Sequence, residues 1–334
     1  MKRARRTTSA LAALAAASAT PGMSQEPEPQ MIEREIVIGE APLALPGLLT
    51  LPAGRKGPFP LVVLVHGSGP NDRDETIGPN RPFRDLARGL AERGVAVLRY
   101  DKRTRVYPMS FANRVFTVRE ETIDDALAAI RLARTLPEVD SLRVVVAGHS
   151  LGGILAPRIA EMDGRLAGVV LLAGASDESL PDMIDRQFAY LLTLPGADTT
   201  VIAAQQRAMA PGLASVRALT PADSASVAPL LGAPAAYWLD LAAYNSLATA
   251  KRLRMPLLIV QGARDYQTGD RAFARWQSEL AARSDVTFRL YPALNHLFMP
   301  GTGPGNPAEY AVPGRVAEVV LEDLATWIAG LAPR

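Results

Sequence analysis

A serine lies between two glycines at residues 148–152, which read Gly-His-Ser-Leu-Gly. The apolar run 142–147 comes directly before this motif and a helical pattern begins near Leu151, so Ser150 falls at a sharp strand-to-helix turn. The glycines let the two backbones approach while the serine takes a strained conformation, and the helix N-terminus favours negative charge beside it. We predict that Ser150 is a nucleophile. The alternative is a glycine-rich turn in which the serine only caps the helix.

A serine hydroxyl needs a base within hydrogen-bond reach, and the sequence contains only three histidines. His149 adjoins the serine, so its ring should point elsewhere and pack. His66 ends the apolar run 61–65, far upstream in a glycine-rich turn. His296 follows the apolar run 286–291, on a loop that should reach the same edge of a sheet as Ser150. We therefore predict that His296 is the base, with a surface or capping histidine as the alternative.

Asp265 is the predicted acid that orients His296. It comes just after the apolar run 256–261, and the order Ser150, Asp265, His296 is the chain order found where a strand-to-helix turn carries the serine. Asp270 is the nearest rival, but it starts the next helical pattern, where the helix dipole explains an aspartate. A turn-forming role for Asp265 is the remaining alternative.

Two backbone amides are predicted to stabilise the oxyanion of an acyl transfer. Leu151 supplies one, because it follows the nucleophile, and Ser68 supplies the other. Ser68 lies in the turn 66–70, which reads His-Gly-Ser-Gly-Pro. Its glycines would let amides approach a substrate carbonyl. A plain Gly/Pro turn is the alternative.

The elements that must position these residues alternate along the chain. Helical patterns cover 83–93, 123–135, 154–162, 272–282 and 316–331, and strand-like runs cover 35–38, 43–51, 61–65, 95–100, 142–147, 167–173, 256–261 and 286–291. Several runs, such as 61–65, are apolar throughout, which is typical of strands covered on both faces. We predict an α/β fold with a mostly parallel central sheet, helices on both faces and an antiparallel hairpin at its start.

Residues 177–251 interrupt this alternation with helical patterning and no convincing strand. A structureless loop of that length is implausible inside a compact domain. We predict a helical cap inserted into a domain that spans 34–334. Its bulky apolar side chains are candidates for lining an acyl pocket, namely Phe188, Tyr190, Leu191, Met209, Tyr237, Trp238 and Tyr244.

The N-terminus combines a basic start at residues 2–6, an Ala-rich stretch and the sequence Ala17-Ser18-Ala19. This order predicts a signal peptide at 1–19, followed by a Pro-rich linker at 20–33, and hence export to the periplasm or the medium. A disordered tail or a short amphipathic helix is the alternative. Because the chain has no cysteine, we expect neither a lipoprotein anchor nor disulfides.

Composition excludes several other classes of protein. The formal net charge is only +2, and four of the cations lie in the first six residues, so the rest is slightly acidic. We therefore expect no nucleic-acid partner. No other segment approaches transmembrane length, so no stable membrane anchor is expected. We see no metal-ligand cluster and expect no metal and no cofactor. The oligomeric state stays open.

From about residue 34 onward the sequence resembles the α/β-hydrolase superfamily. Residues 66–76 (His-Gly-Ser-Gly-Pro-Asn-Asp-Arg-Asp-Glu-Thr) and 99–104 (Arg-Tyr-Asp-Lys-Arg-Thr) are similar to those of secreted bacterial carboxylesterases, as are 148–153 and Asn295-His296. Dienelactone-hydrolase-like and prolyl-oligopeptidase-like enzymes share much of this pattern. The resemblance implies hydrolysis of short acyl esters and agrees with the residues predicted above. We expect the charged side chains of the first two stretches to brace the rim of the site through ion pairs and capping hydrogen bonds, namely Asp72, Arg73, Asp74, Asp101 and Lys102.

We predict a serine carboxylesterase that acts on a small-molecule ester through an acyl-Ser150 intermediate. An exopeptidase-like amidase is the second candidate, because an acidic group at the start of the cap could hold a substrate ammonium; surface solvation explains these residues equally well. They are Asp177, Glu178, Asp182 and Asp185. The third candidate is a non-catalytic binding protein of the same fold, against which the intact set of serine, histidine and aspartate argues.

Overall fold

The computed structural model describes residues 31–334, with the side chain of Asp270 left aside. The predicted signal peptide at 1–19 and most of the predicted linker at 20–33 lie outside the described residues, so export stays a prediction. The described strands are β1 (Ile32–Ile38), β2 (Leu45–Leu51), β3 (Phe59–Val65), β4 (Ala96–Tyr100), β5 (Val139–His149), β6 (Gly168–Leu172), β7 (Leu257–Gly262) and β8 (Val286–Tyr291). The α-helices are α1 (Pro82–Glu92), α2 (Arg103–Val106), α3 (Asp124–Ala133), α4 (Leu151–Asp163), α5 (Leu180–Leu191), α6 (Thr199–Arg217), α7 (Ala235–Ala243), α8 (Ser246–Arg252), α9 (Asp270–Glu279) and α10 (Glu318–Ala329).

The strands form one sheet in the order β1-β2-β4-β3-β5-β6-β7-β8. β2 pairs antiparallel with β1 and with β4, and every other neighbouring pair is parallel. The predicted α/β fold with its mostly parallel sheet is therefore confirmed. β1 begins at Ile32, two residues before the predicted start of the domain, because its ladder with β2 continues to the pair Ile32 and Leu51.

Helices cover both faces of the sheet, which explains why the central strands are apolar throughout. All seven residues of β3 are buried. Leu61 and Val63 pack into one core cluster with residues of α3, α4, α8 and α9. Val62 and Leu64 pack into the other with α1 and α10. Each such aliphatic side chain contributes about 1.5–3 kcal/mol when fully buried.

The chain between β6 and β7 forms helices and no strand within the described residues. α5 and α6 pack against each other. α8 instead packs against α4, and its residues Leu247 and Ala250 belong to the core. The last helix of the segment 177–251 therefore covers the sheet like the helices outside it.

Short helices that the sequence pattern did not indicate connect β4 to α3. They are α2, a 3₁₀-helix at Pro108–Ser110 and a π-helix at Arg119–Ile123. Elements of one turn are too short to leave a periodic pattern. Across residues 31–334, no helix combines the length and the apolar character needed to cross a bilayer.

Candidate active site

Ser150 occupies a strained turn between β5 and α4. Its φ of 52° and ψ of −118° lie in a region that costs a non-glycine residue about 1–3 kcal/mol. A Cβ on Gly148 would lie 2.1 Å from the oxygen of Gly152, and a Cβ on Gly152 would lie 2.3 Å from the oxygen of Val65. Both flanking positions therefore require glycine, because the strand and the helix meet at backbone contact distance.

Asp265 and His296 meet at the carboxyl ends of β7 and β8, which are parallel neighbours in the sheet. His296 Nδ1 lies 2.7 Å from Asp265 Oδ2, and both side chains are buried. An ionised carboxylate only accepts hydrogen bonds, so the Nδ1 atom carries the proton. The Nε2 atom of His296 is left with a lone pair that can accept a proton.

The Asp265 carboxylate is held by further donors. Thr268 Oγ1 donates to its Oδ2 atom at 2.6 Å, and Gln261 Nε2 does so at 2.9 Å. The backbone amide of Gln267 donates to Asp265 Oδ1 at 2.8 Å. Burial alone would raise the pKa of Asp265, but His296 and the hydrogen bonds from Thr268 and Gln261 hold this pKa well below its usual range. The carboxylate therefore stays charged and fixed near neutral pH.

The loop of His296 lies against the turn that carries Ser150. The rings of His149 and His296 are 4.7 Å apart, and His149 Nε2 lies 3.0 Å from the backbone oxygen of His296. The half-buried Ser150 makes no side-chain hydrogen bond within residues 31–334, so its hydroxyl is not yet bonded to His296. In ligand-free enzymes this bond is often long and shortens when substrate binds.

The two predicted amide donors lie on either side of the serine. A Cβ on Gly67 would lie 3.1 Å from Ser150 Cβ, which places the turn of Ser68 against Ser150. Leu151 begins α4, where backbone N–H groups have no partner in the helix. In the described part of the chain, the amides of Ser68 and Leu151 donate to no acceptor. Both are therefore available to a negatively charged oxygen.

Comparison with known proteins shows the family of this chain. Residues 62–312 match the alpha/beta hydrolase family. The chain belongs to this family. A curated relative, Esterase EstD of Thermotoga maritima, is 39% identical over 304 residues, which are 89% of this chain and 67% of EstD. The chain is therefore a hydrolase, as the resemblance implied.

Solved structures of other hydrolases share the fold of this alpha/beta hydrolase. Est1E from Butyrivibrio proteoclasticus is 19% identical in sequence, with a TM-score of 0.56. The match covers 88% of this chain and 99% of the Est1E chain. An esterase from Pyrococcus furiosus is 16% identical in sequence, with a TM-score of 0.52. The match covers 89% of this chain and 92% of the esterase chain. At these identities the likeness concerns the fold alone.

Two charged residues to which the sequence analysis gave no catalytic role, Glu75 and Lys102, hold the Ser68 turn of this hydrolase. The amide of Gly67 donates to Glu75 Oε1 at 2.6 Å, and Lys102 Nζ donates to the Gly67 oxygen at 2.9 Å. Lys102 is buried, and its Nζ atom lies 2.5 Å from Glu121 Oε1. The oxygen bonded by Lys102 belongs to the peptide that carries the Ser68 N–H. The lysine therefore fixes the direction of this N–H and polarises it.

The remaining charges of the same stretches form ion pairs, except Asp72, which accepts from backbone amides instead. Arg73 Nη2 lies 3.0 Å from Asp101 Oδ2, and Arg99 Nε lies 3.0 Å from Asp74 Oδ1. Asp72 accepts from the amide of Thr76 at 2.9 Å. Glu75 differs from this group because it is buried and has a positive φ of 51°. Its place in a charged run gave no signal of that difference.

His66 is a buried support of the turn. Its Nε2 atom lies 3.0 Å from the backbone oxygen of Asp72, which can only accept. Burial lowers the pKa of His66 to about 4. The neutral ring packs 5.1 Å from the ring of Phe83. Its hydrogen bond joins His66 to Asp72 across the turn. The ring is buried and is therefore not accessible to a substrate as a base.

His149 packs against aromatic rings as predicted, but it also makes a charged contact that the sequence did not indicate. Its ring does face Phe83 and Phe298, each with a centroid distance of 6.4 Å. However, His149 Nδ1 also lies 2.9 Å from Glu75 Oε2, in an ion pair that is buried on both sides.

Two cavities adjoin the amide donors. Leu151 lines one of about 240 Å³, and Ser68 lines one of about 690 Å³. Leu180 and Trp238 line both cavities and therefore stand between them. Of the bulky residues considered for an acyl pocket, those that line a cavity are Tyr237, Trp238 and Tyr244. Among the residues described, no group of three side chains is arranged to bind a metal ion.

Proposed function

We propose that this hydrolase is a serine carboxylesterase that cleaves short acyl esters of small molecules through an acyl-Ser150 intermediate. The observation that carries the proposal is the buried 2.7 Å contact between His296 Nδ1 and Asp265 Oδ2, next to a serine held in a strained turn. The identity of 39% with a protein named an esterase supports it.

In the proposed first step, His296 Nε2 takes the proton of Ser150 as the serine oxygen attacks the ester carbonyl. The N–H groups of Ser68 and Leu151 stabilise the oxyanion that forms. When the tetrahedral intermediate collapses, the ester C–O bond breaks and His296 returns the proton to the leaving alcohol. Asp265 stays ionised and stabilises the imidazolium that forms in between.

The second step releases the acid. Water replaces the alcohol, and His296 accepts one of its protons as the water oxygen attacks the acyl carbonyl. The same two amides stabilise the second oxyanion. Ser150 leaves with the proton from His296, which restores the enzyme and frees a carboxylic acid. No oxidation or reduction occurs in either step.

The charges of the cap argue against an exopeptidase-like amidase. A site that holds a substrate ammonium needs an unpaired carboxylate. Each of the four acidic residues considered for this role is already paired with an arginine: Asp177 with Arg275, Glu178 with Arg186, and Asp182 and Asp185 with Arg217. These pairs support ester over aminoacyl substrates.

A panel of p-nitrophenyl esters, matched p-nitroanilides and aminoacyl anilides tests the proposal. We expect the short acyl esters to have the highest kcat/KM, because an alkoxide or phenolate leaves a tetrahedral intermediate more readily than an amine does. Added free amino groups on the acyl part should not improve kcat/KM. A preference for aminoacyl anilides over esters of the same acyl group would contradict the proposal.

The cap is expected to select the acyl chain. Trp238 and Leu180 separate the two cavities, so Trp238→Ala should join them and favour longer chains. We expect the ratio of kcat/KM for long over short acyl esters to rise by about 10- to 200-fold, the range for a change of 1–3 kcal/mol in an apolar pocket. Initial rates over a series of acyl lengths measure this ratio.

Phe188→Ala is the matched control for the cap. Phe188 is a buried aromatic residue of α5, but it lines neither cavity. Its truncation should lower the melting temperature, since losing a buried Phe costs about 3–5 kcal/mol, and leave the ratio unchanged. If both variants only lower the melting temperature, the cap has no role in selecting the acyl chain.

A further inference from the structure

His149, the residue before the proposed nucleophile, has a polar partner at each ring nitrogen. His149 Nε2 lies 3.0 Å from the backbone oxygen of His296. A carbonyl oxygen can only accept, so this nitrogen must be protonated. His149 Nδ1 lies 2.9 Å from Glu75 Oε2, where two lone pairs would repel each other. A second proton is therefore required on one of these two atoms.

The surroundings favour the charged form of the pair. Burial lowers the pKa of His149, but the charge of Glu75 and the bond to the His296 oxygen outweigh burial, so this pKa is raised. Burial raises the pKa of Glu75, yet the opposite charge of His149 brings it below its usual value. His149 Nδ1 and Glu75 Oε2 lie 2.9 Å apart without the geometry of a directed hydrogen bond. We therefore describe the contact as an ion pair, with imidazolium and carboxylate as the charged forms that these pKa shifts favour.

The pair touches three separate segments of the candidate site. The second carboxylate oxygen of Glu75 accepts from the amide of Gly67 at 2.6 Å, directly before the proposed donor Ser68. His149 itself precedes the nucleophile. Its Nε2 atom donates to the backbone of the residue that supplies the proposed base. One ion pair thus connects the amide turn, the nucleophile turn and the loop of the base.

We propose that Glu75 and His149 are positioning residues, whose buried ion pair holds the Ser68 amide and the His296 loop in register with Ser150. The proposal rests on the proposed function, because it assigns a purpose to that same site. Neither residue touches the reacting atoms. Glu75 acts through the Gly67 amide, and His149 acts through the backbone oxygen of His296.

Positioning by a charged histidine has a consequence for pH. When His149 loses its Nδ1 proton at alkaline pH, the nitrogen lone pair faces the carboxylate and the connection breaks. Because the pKa of His149 is raised, the connection persists to higher pH than an ordinary histidine would allow, and it is lost as pH rises through this pKa. The titratable groups that act on this pair are His66, which faces Glu75, and Asp265 and His296, which face His149. Lys102 and Asp101 act on His66 in turn.

The protonation state can be measured without any substrate. The full chain with ¹⁵N-labelled histidine has only three imidazoles, and a His149→Gln variant identifies the signal of His149. At about pH 7.5, above the ordinary histidine pKa, we expect both ring nitrogens of His149 to be protonated. A neutral His149 at this pH would overturn the proposal, whichever residue proves to be the nucleophile.

The kinetic test compares two changes at Glu75. Glu75→Ala removes both contacts, and we expect kcat to fall about 10- to 100-fold, less than for a lost oxyanion donor, with KM within about twofold. Glu75→Gln should retain most of kcat, because its amide oxygen accepts from Gly67 and its amide nitrogen donates to a neutral His149. We expect kcat of the unaltered protein to decline at alkaline pH and Glu75→Gln to lose this decline.

The control is Asp163→Asn. Asp163 forms a partly buried ion pair with Arg134, at 2.6 Å between Oδ2 and Nη1, and it lies at the far end of α4 from Ser150. This change should lower stability without altering kcat or the alkaline decline. A folded Glu75→Ala variant with unchanged kcat, or equal losses in Glu75→Ala and Glu75→Gln, would overturn the positioning role. If Glu75→Ala does not fold, the histidine spectra and the Glu75→Gln pH profile still decide.

Failure of the proposed function gives a different result. If the unaltered protein hydrolyses no ester and Ser150 takes up no fluorophosphonate, the proposed chemistry is wrong, while the histidine spectra still report the ion pair. If ester hydrolysis and labelling are normal but the Glu75 variants behave like Asp163→Asn, only the positioning role is wrong.

Discussion

Replacement of Ser150 by alanine is expected to remove ester hydrolysis almost completely. Loss of the nucleophile costs a factor on the order of 10⁶ in kcat in hydrolases that use serine, histidine and aspartate as a unit. Because the fold does not depend on the hydroxyl, which has no partner within residues 31–334, the variant should fold normally. Initial rates with a p-nitrophenyl ester measure the loss. Mass spectrometry of the protein after reaction with a fluorophosphonate identifies the labelled residue.

Ser141→Ala is the matched control for this prediction. Ser141 is exposed near the start of β5, the strand that ends beside Ser150. Its loss should change neither turnover nor labelling. Fluorophosphonate labelling that survives Ser150→Ala would show that another side chain is the nucleophile.

Asp265→Asn should be the second most damaging single change, with a loss on the order of 10⁴ in kcat, as for the buried acid of serine hydrolases. Asparagine can present an N–H to His296 Nδ1, which favours the tautomer that has its proton on Nε2 and cannot deprotonate Ser150. It also places donors against Thr268 and Gln261, which both donate to the carboxylate. Circular dichroism should show a folded protein, and the KM should change far less than kcat.

Asp270→Asn separates the two aspartates that the sequence offered. Asp270 is the first residue of α9, where a negative charge contributes about 0.3–1 kcal/mol through the helix dipole. We expect its change to asparagine to lower stability by this amount and to leave kcat intact. An inactive but folded Asp270→Asn variant beside an active Asp265→Asn variant would reverse the assignment.

The architecture was predictable because its signals are local. Strands buried on both faces must be apolar at every position, and β3 is such a run in the sequence and in the structure. The turn at Ser150 was predictable for the same reason, since the glycines that it needs lie within two residues of the serine. Short elements such as α2 were missed, because a single turn has no period to detect.

The proximity of Asp265 and His296 needed one further inference. The two residues are separated by 31 positions, but each directly follows a strand, and parallel neighbours end at the same edge of a sheet. The chain order therefore indicated the pair. The structure adds what no spacing contains: the 2.7 Å contact, the burial of both side chains and the donors that keep the carboxylate ionised.

Only the tertiary structure distinguished Glu75 and Lys102 from their charged neighbours. In the sequence they stand in runs of acids and bases, which are ordinarily solvated. The fold buries both of them against the Gly67 peptide and brings His149 to Glu75 across 74 positions. Periodicity and spacing report which residues share an element, whereas a contact between distant loops depends on how the elements pack. The sequence by itself therefore determined the sheet, the turn at Ser150 and the candidate residues, and the packing of the loops decided what holds them in place.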